Sequence, residues 1–168
     1  AILFAIEVPE YGGDTLFASQ ANAYDALSDG MKRMIADLNV VNSDIRVAGP
    51  TTTRNQNRTT KSRMDADWVA TETAHPVVRT HPETGRKSLY CDRSYSIRFE
   101  GMTEEESAPL LDYLMDWGTR PEFTCRFRWR KGSVAFWDNR CTKHIAVDDS
   151  HRDRRIMRRI QIAGDQPF

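Results

Sequence analysis

The residue best suited to bind a metal is His144, the last residue of the run WDNRCTKH at residues 137–144. Neutral imidazole is a good ligand for divalent iron, copper or zinc. The apolar run 134–137 predicts a short buried strand, and the turn residues after it would place His144 just past the strand end, facing a cavity. Because a single histidine is more often a hydrogen-bonded structural residue than a ligand, metal binding stays open on residue type alone.

A dense group of cations follows in the segment RRIMRR at residues 154–159. Isoleucines alternate with other residues over 154–163, which predicts a strand, and residues of the same parity share one face of a strand. Arg155 and Arg159 would then point the same way, ~13 Å apart. Guanidinium groups bind carboxylates and sulfonates through paired hydrogen bonds, so this face could hold two anions or both ends of one site. The alternative is a solvated basic strand at a sheet edge.

The three cysteines are Cys91, Cys125 and Cys141. Their wide spacing and the lack of a CxxC motif argue against a structural zinc site and against a disulfide framework. Cys125 lies within an apolar alternation and is predicted to be a small core residue. Cys141 is three residues from His144, so a nucleophilic Cys-His pair in a hydrolase is a further hypothesis. Reduced thiols and a cytoplasmic location are the expectation.

The charge balance excludes several classes of partner. The 168 residues include 24 Lys and Arg and 24 Asp and Glu, so the formal net charge is zero. We therefore expect no binding to nucleic acid or to a membrane surface. No apolar run approaches the length needed to cross a bilayer. The length fits one domain with its own core, and a homo-oligomer remains open.

Two helical segments carry start signals. Residues 20–38 predict a helix in two pieces, with Ser28 as the N-cap of the second piece. Thr103 and Glu106 fit a capping box, and the acidic residues beside them suit the first turn of a helix.

Short strands account for most of the remaining chain. Two hairpins are predicted, and their paired segments are 75–80 with 86–91 and 123–129 with 133–138. The second hairpin would deliver His144. Many short strands with two helices indicate an antiparallel β architecture with helices on one side. The polar segment 49–67 predicts a long mobile loop, which we expect to act as a lid over the active site.

Three groups of motifs carry a family resemblance. The run WDNRCTKH, followed by RRIMRR and AGDQPF, resembles the C-terminal motif of the taurine dioxygenase/2,4-dichlorophenoxyacetate dioxygenase family. The segments EVPEYGGDTLF and HPVVRTHPETGRKSLY resemble further family segments in the family's order. The resemblance covers nearly all 168 residues. It implies a mainly β fold with flanking helices, a double-stranded β-helix of the jelly-roll, cupin-like type. It also implies an oxygenase that depends on Fe(II) and 2-oxoglutarate.

The resemblance also implies roles for single residues near the metal. His144 matches the distal histidine of the iron triad of two histidines and one carboxylate. Arg155 matches the arginine that holds the distal carboxylate of 2-oxoglutarate, and Thr15 matches the threonine that shares that carboxylate. Trp137 matches an aromatic residue beside the iron.

For the substrate, Arg159 matches the arginine that contacts the anionic group in sulfonate-oxidising members. Tyr95 falls near a position that lines the substrate pocket. The implied reaction uses O2, hydroxylates a small anionic substrate and releases succinate and CO2. Taurine-like sulfonates, alkyl sulfates and aryloxyalkanoates all suit this pattern.

One feature departs from the family pattern. The family's first iron ligands are a His-x-Asp pair, placed shortly upstream of the segment that matches Ala1. The single His-x-Asp of this chain begins at His151, after the distal histidine, where the family does not place the pair. We therefore expect either a chain that lacks its N-terminal part or a non-catalytic anion-binding jelly-roll protein without a complete triad. The apolar residues at the very start favour the first expectation.

Overall fold

The computed structural model of the protein describes residues 1–48, 52, 69–149, 153–164 and 166–168. Apart from Thr52, the predicted lid loop 49–67 lies outside the described residues. The chain divides into two units. The first unit comprises residues 1–27, 79–89 and 117–167, and the second comprises residues 28–78, 90–116 and 168.

Strands outnumber helices in the part of the chain that the structure describes. In chain order the elements are β1 (Ile2–Glu7), β2 (Thr15–Ser19), α1 (Gln20–Asp25), α2 (Asp29–Ile35), β3 (Asn39–Ser43), α3 (Ile45–Ala48), β4 (Glu72–Pro76), β5 (Val78–Thr80), β6 (Lys87–Leu89), β7 (Ser96–Phe99), α4 (Glu104–Trp117), β8 (Thr124–Phe127), β9 (Val134–Phe136), β10 (Thr142–Ala146) and β11 (Ile156–Ile160). No helix among them combines the length and the apolar character needed to cross a bilayer.

The first unit contains two three-stranded antiparallel sheets, in the orders β11-β1-β9 and β10-β2-β8. Each sheet directs one set of alternating side chains into a shared core, because successive residues of a strand point to opposite faces. The buried residues of this core are Ala1, Ala5, Trp129, Ala135 and Trp137, and the residues packed against them are Leu3, Val8, Phe17, Phe127 and Met157. Aromatic rings from both sheets therefore fill the space between them.

The opposite face of the β11-β1-β9 sheet is exposed and mostly apolar. Ile2 pairs with Ile160 on one side and with Phe136 on the other. Phe136 is 71% exposed and Ile160 is 57% exposed. The prediction of a short buried strand at 134–137 is thus confirmed for the strand, β9, and wrong for its burial. Ala135 and Trp137 are buried, but the residues between and before them take the outward positions of the same alternation.

The predicted hairpin of residues 123–129 and 133–138 is also wrong. β8 pairs with β2, whereas β9 pairs with β1 in the other sheet. The chain therefore crosses from one sheet to the other between these strands, although the segment 130–132 does form a turn in which Gly132 has a φ of 84°. His144 consequently lies in the middle of β10, not just past the end of β9.

Cys125 is exposed, so its prediction as a core residue is wrong. It lies on β8 opposite Phe17, on the face that turns toward the core, but its thiol is not covered. Periodicity gives the face of a strand residue and says nothing about whether another element covers that face. Cys91 is buried, and the three cysteines form no disulfide bond with one another.

The second unit contains the sheet β4-β3-β7 and the helices α2, α3 and most of α4. The predicted break in the first helical segment is confirmed, because Ser28 Oγ accepts a hydrogen bond from the backbone N–H of Met31 at the start of α2. The capping box of α4 is also confirmed. The Glu106 N–H donates to Thr103 Oγ1, and the Thr103 N–H donates to Glu106 Oε2.

The predicted strand at 75–80 forms two strands, because β4 ends at Pro76 and β5 begins at Val78. The hairpin that follows is confirmed, since β5 pairs with β6. At its turn Gly85 has a φ of 69°, a conformation that glycine adopts without strain.

Candidate functional site

The predicted metal ligand lies beside aromatic rings. Phe17 of β2 is the cross-strand partner of His144, so both side chains share one face of the sheet. The imidazole centre lies 4.8 Å from the ring centre of Trp137 and 6.3 Å from that of Phe17. Because Phe17 and Trp137 belong to the core, the imidazole stands on the core-facing side of its sheet while remaining exposed.

Trp137 is held in place at both its backbone and its side chain. Its backbone N–H donates to the carbonyl of Ala1 at 3.0 Å, and its own carbonyl accepts a 2.7 Å bond from the Ala1 amino group. Its indole Nε1 donates to Asn139 Oδ1 at 2.7 Å. The structure thus places Trp137 next to His144, and its contact with a metal stays a prediction.

Thr15 is the first residue of β2 and is 3% exposed. Its hydroxyl oxygen accepts a 2.9 Å hydrogen bond from Nε1 of Trp129. An indole N–H can only donate, so the threonine hydroxyl keeps its own proton for another acceptor. A buried hydroxyl in this state is suited to an acceptor-only group such as a carboxylate.

Arg155 immediately precedes β11 and is half-buried. Its Nε donates to the carbonyl oxygen of Gly13 at 3.1 Å, and its guanidinium carbon lies 6.0 Å from the ring centre of Trp129. Burial lowers the pKa of this guanidinium, which nevertheless stays charged at neutral pH. Neither terminal nitrogen of Arg155 has a hydrogen bond or an ion pair with any residue that the structure describes. Within the described part of the chain, both are therefore available to an anion.

The turn before Thr15 is tightly anchored. Gly12 and Gly13 have φ angles of 81° and 66°, which residues with a Cβ rarely adopt. The Gly13 N–H donates to Asp149 Oδ1 at 2.7 Å, and this bond holds the pKa of Asp149 below its ordinary value. Arg126 links Asp149 to Asp14 at 3.0 and 2.6 Å. This network holds in place the Gly13 carbonyl, which accepts the hydrogen bond from Arg155.

A row of aromatic rings joins the two predicted sites. From His144 the row runs through Trp137 to Phe17 at 5.2 Å, to Phe127 at 6.4 Å and to Trp129 at 4.7 Å between ring centres. The predicted metal ligand stands at one end, and the predicted 2-oxoglutarate residues stand at the other. Sequence reasoning missed Phe17, Phe127 and Trp129. The alternation in 123–129 was the available signal for Phe127 and Trp129, although it could not indicate which residues they contact, and Phe17 lies outside that segment.

The two predicted substrate contacts lie in different units. Arg159 on β11 is opposite Leu3, which in turn is opposite Ala135. Leu3 and Ala135 belong to the core, so Arg159 takes a core-facing position of its sheet, with an exposed side chain. Tyr95 lies in the second unit, is 43% exposed and precedes β7. The roles of both residues stay predictions.

A polar cluster surrounds Asp138 in the first unit. His81 Nε2 lies 3.1 Å from Asp138 Oδ2, and its Nδ1 lies 3.2 Å from Glu83 Oε2. Arg140 contacts both carboxylate oxygens of Asp138, at 2.6 Å for the shortest bond, and contacts Glu83 at 2.9 Å. Its hydrogen bonds, helped by the one from His81, hold the pKa of Asp138 well below its usual range.

The same cluster has a superficial likeness to a metal site. Ligand atoms of His81, Asp138 and Cys141 lie within 4.8 Å of one another, and no other such trio occurs among the described residues. However, Asp138 already pairs with Arg140, and that positive charge opposes the binding of a cation. The cluster fits an ion-pair network and not a metal centre. Cys141 belongs to this network, whereas His144 belongs to the aromatic row.

Comparison with known proteins identifies the family. The sequence matches the model for "Taurine catabolism dioxygenase TauD, TfdA family" over residues 1–161. The chain belongs to this family. The assignment made from the sequence motifs is therefore confirmed.

Three similar proteins show how far the similarity extends. The chain is 39% identical to an alkylsulfatase of Acinetobacter baylyi, over 98% of this chain and 52% of that protein. It is 36% identical to an alpha-ketoglutarate-dependent sulfate ester dioxygenase of Pseudomonas putida, over 99% of this chain and 56% of that protein. The solved structure of AAD-2 in complex with Mn(II) and N-oxalylglycine matches with a TM-score of 0.83 and 32% identity, over 99% of this chain and 63% of that one. The chain thus spans about half the length of the curated relatives it matches.

Proposed function

We propose that this TauD/TfdA protein is an Fe(II)- and 2-oxoglutarate-dependent dioxygenase. It hydroxylates a small anionic substrate with O2 and releases succinate and CO2. The observation that carries the proposal is the pair Thr15 and Arg155, which meet at Trp129 with donor groups available to a carboxylate. The names of the relatives, which include a 2-oxoglutarate-dependent sulfate ester dioxygenase, support the same class.

In this proposal the fold is a double-stranded β-helix. The two antiparallel sheets of the first unit and the aromatic core between them support it. A jelly roll of this kind places its ligands between two sheets, where side chains of both can reach them.

Arg155 and Thr15 hold the distal carboxylate of 2-oxoglutarate. The two terminal nitrogens of Arg155 match the two oxygens of a carboxylate in a planar, paired arrangement. The Thr15 hydroxyl adds one donor from β2, in the other sheet of the first unit. The Trp129 side chain, which is 6% exposed, helps to exclude water from these bonds, which strengthens them.

His144 supplies an imidazole to the metal. The described residues fit the metal only in part, because a facial triad needs two more ligands and none of the described groups joins His144 in a cluster of three. Bound iron would supply the activation of O2. The residues of this chain hold the co-substrate and line the site, and Trp137 covers one side of the imidazole.

The substrate is a small organic anion such as a sulfonate, a sulfate ester or an aryloxyalkanoate. Arg159 would bind its anionic group, since Arg159 takes a core-facing position of β11 with an exposed guanidinium. A cytoplasmic location is part of the proposal, and three cysteines that form no disulfide bond with one another support it.

Succinate formation by the full-length protein tests the function. The assay would contain Fe(II), 2-oxoglutarate and air, with taurine, a short alkyl sulfate or an aryloxyalkanoate as substrate. We expect metal-dependent succinate release with at least one of them. Without iron binding and without succinate, the non-catalytic anion-binding protein would replace this proposal.

Two variants separate the roles of neighbouring arginines in that assay. Arg159→Ala should reduce substrate-dependent turnover more than it reduces the uncoupled decay of 2-oxoglutarate. Arg158→Ala is the matched control, because Arg158 pairs with Phe4 on the outward face of the same strands. Equal loss of both reactions in Arg159→Ala would argue against a role in substrate binding.

A further inference from the structure

Trp129 contacts both predicted 2-oxoglutarate residues but has no role in the site as predicted from sequence. It follows β8, is 6% exposed and belongs to the core of the first unit. Its indole N–H donates to Thr15 Oγ1 at 2.9 Å, and the guanidinium carbon of Arg155 lies 6.0 Å from its ring centre. The ring centres of Trp129 and Phe127 lie 4.7 Å apart, with an angle of 69° between the ring planes. One side chain thus bonds to Thr15 on β2 and lies near the guanidinium of Arg155, which immediately precedes β11.

We propose that Trp129 is a positioning residue for 2-oxoglutarate. It acts through Thr15, whose hydroxyl proton it directs to the carboxylate, and through Arg155, whose guanidinium it supports. The inference rests on the proposed function, in which Thr15 and Arg155 hold that carboxylate.

The hydrogen-bonding chemistry of threonine gives the first step. A hydroxyl has one proton and two lone pairs, and it can either donate to or accept from a neighbour. The indole N–H of Trp129 can only donate, so it occupies a lone pair of Thr15 Oγ1. A carboxylate can only accept, so Thr15 must donate to it. With Trp129 in place, the hydroxyl is already oriented for this donation before the ligand binds. Without the indole N–H, the hydroxyl is free to rotate.

The position of Arg155 gives the second step. Its Nε is bonded to the Gly13 carbonyl, and its guanidinium lies near the Trp129 ring at the outer limit of a cation–π contact. These two contacts restrict the guanidinium while leaving its terminal nitrogens without a bond to any residue in the described part of the chain. A donor group that is ordered before binding loses less entropy when the ligand arrives.

A double-mutant cycle tests the inference by calorimetric titration of 2-oxoglutarate into the full-length protein with Mn(II). Trp129→Phe keeps an aromatic ring in the core and removes the N–H donor. We expect the Kd to rise about three- to tenfold, the value of one hydrogen bond. Thr15→Ala should raise it by a similar factor. Adding Trp129→Phe to Thr15→Ala should cause no further rise, whereas adding it to Thr15→Ser, which keeps the hydroxyl, should still cause one.

Trp117→Phe is the matched control. Trp117 also donates its indole N–H, to the carbonyl of Ala23 at 2.8 Å, and also carries an arginine over its ring, Arg120 at 4.3 Å. Its loss should leave the Kd unchanged. If the rises in Kd caused by Trp129→Phe and by Thr15→Ala instead multiply in the double variant, Trp129 has only a structural role and the inference is rejected.

A second measurement needs no substitution in the core. With Zn(II) as a diamagnetic metal, 2-oxoglutarate should shift the NMR resonance of the Trp129 indole N–H and leave that of Trp117 in place. An unmoved Trp129 resonance would overturn the inference. Arg155→Ala belongs to the same series. If it binds 2-oxoglutarate as tightly as the parent, or if the parent does not bind, the proposed function fails as well. If it binds weakly while Trp129→Phe binds normally, only the role of Trp129 fails.

Discussion

Arg140 and Arg155 lie in the same unit and differ in how their charge is balanced. Arg140 bonds to the carboxylates of Asp138 and Glu83, at 2.6 and 2.9 Å for the shortest contacts. Arg155 bonds through Nε to one backbone carbonyl, and its terminal nitrogens have no partner among the residues described. We call the arrangement of Arg140, which pairs with carboxylates, closed. We call the arrangement of Arg155, whose terminal nitrogens are unpaired among the described residues, open.

The difference indicates different roles. The guanidinium of Arg140 already pairs with carboxylates of the same chain, so it is not suited to bind a ligand anion. It stabilises the turn between Trp137 and β10. A half-buried guanidinium that pairs with no carboxylate of the described residues is costly to keep. An incoming carboxylate offsets that cost, so the open arrangement is the one suited to binding.

A carboxylate introduced beside Arg155 should remove the difference between the two arginines. Thr15→Asp would place a carboxylate beside Trp129 and Arg155, where it would neutralise the guanidinium and repel the ligand. We expect the Kd for 2-oxoglutarate to rise more than about 100-fold. Thr15→Asn, of similar size but without charge, is the control and should lose much less. Equal losses in calorimetric titrations would show that size and not charge decides.

Removing Arg140 from the closed arrangement should lower the stability of the fold and leave 2-oxoglutarate binding unchanged. Arg140→Ala removes the cation between Asp138 and Glu83, and we expect the free energy of unfolding in urea to fall by about 1 kcal/mol. The Kd for 2-oxoglutarate should stay within about twofold of the parent value. Arg93→Ala is the control, since Arg93 bonds Asp112 and Asp116 in a more exposed pair and should cost less. A large loss of binding in Arg140→Ala would contradict the comparison.

The stability that the closed arrangement contributes should also fall at acidic pH. The pKa of Asp138 is lower in the folded protein than in the unfolded chain, so its contribution is complete above the unfolded value of about 4. It is lost progressively as the pH falls from there toward the folded value. The stability difference between the parent and Asp138→Asn should therefore shrink below about pH 4. Urea unfolding of both proteins at pH 6 and pH 3 measures it, and a constant difference would exclude this origin.

The smallest effect on activity is expected for a substitution of Cys141, which lies beside the closed arrangement. Cys141→Ser should leave succinate formation within about twofold of the parent, because the Cys141 thiol lies 4.0 Å from the Asp138 carbonyl, in the structural network. This variant also tests the hydrolase hypothesis. Loss of activity in Cys141→Ser, together with protection of Cys141 from thiol reagents by substrate, would support a nucleophilic cysteine.

Local features of the fold were predictable from the sequence. Ser28 and the Thr103/Glu106 pair cap their helices as their spacing indicates, because capping involves residues close in the chain. The alternation around Met157 predicted β11 for the same reason. The family motifs pointed to Thr15, Arg155 and His144 without showing how they are held.

Long-range pairing was not predictable. β8 and β9 are close in the chain, and a turn joins them, but they pair with different strands, because the choice of partner depends on β1 and β2 more than 100 residues earlier. The exposure of Cys125 depends on what covers the strand and not on its alternation. The bond from Trp129 to Thr15 spans 114 residues, so no local pattern could indicate it.

The most direct test of the open arrangement is a calorimetric titration of 2-oxoglutarate into Arg155→Ala and Arg158→Ala, each as full-length protein with Mn(II). Our account predicts that Arg155→Ala raises the Kd about 100-fold, since paired charge-assisted hydrogen bonds are lost. It predicts an unchanged Kd for Arg158→Ala. A parent-like Kd for Arg155→Ala, or an equal loss in both variants, would contradict the assignment of Arg155 as the receptor for the carboxylate.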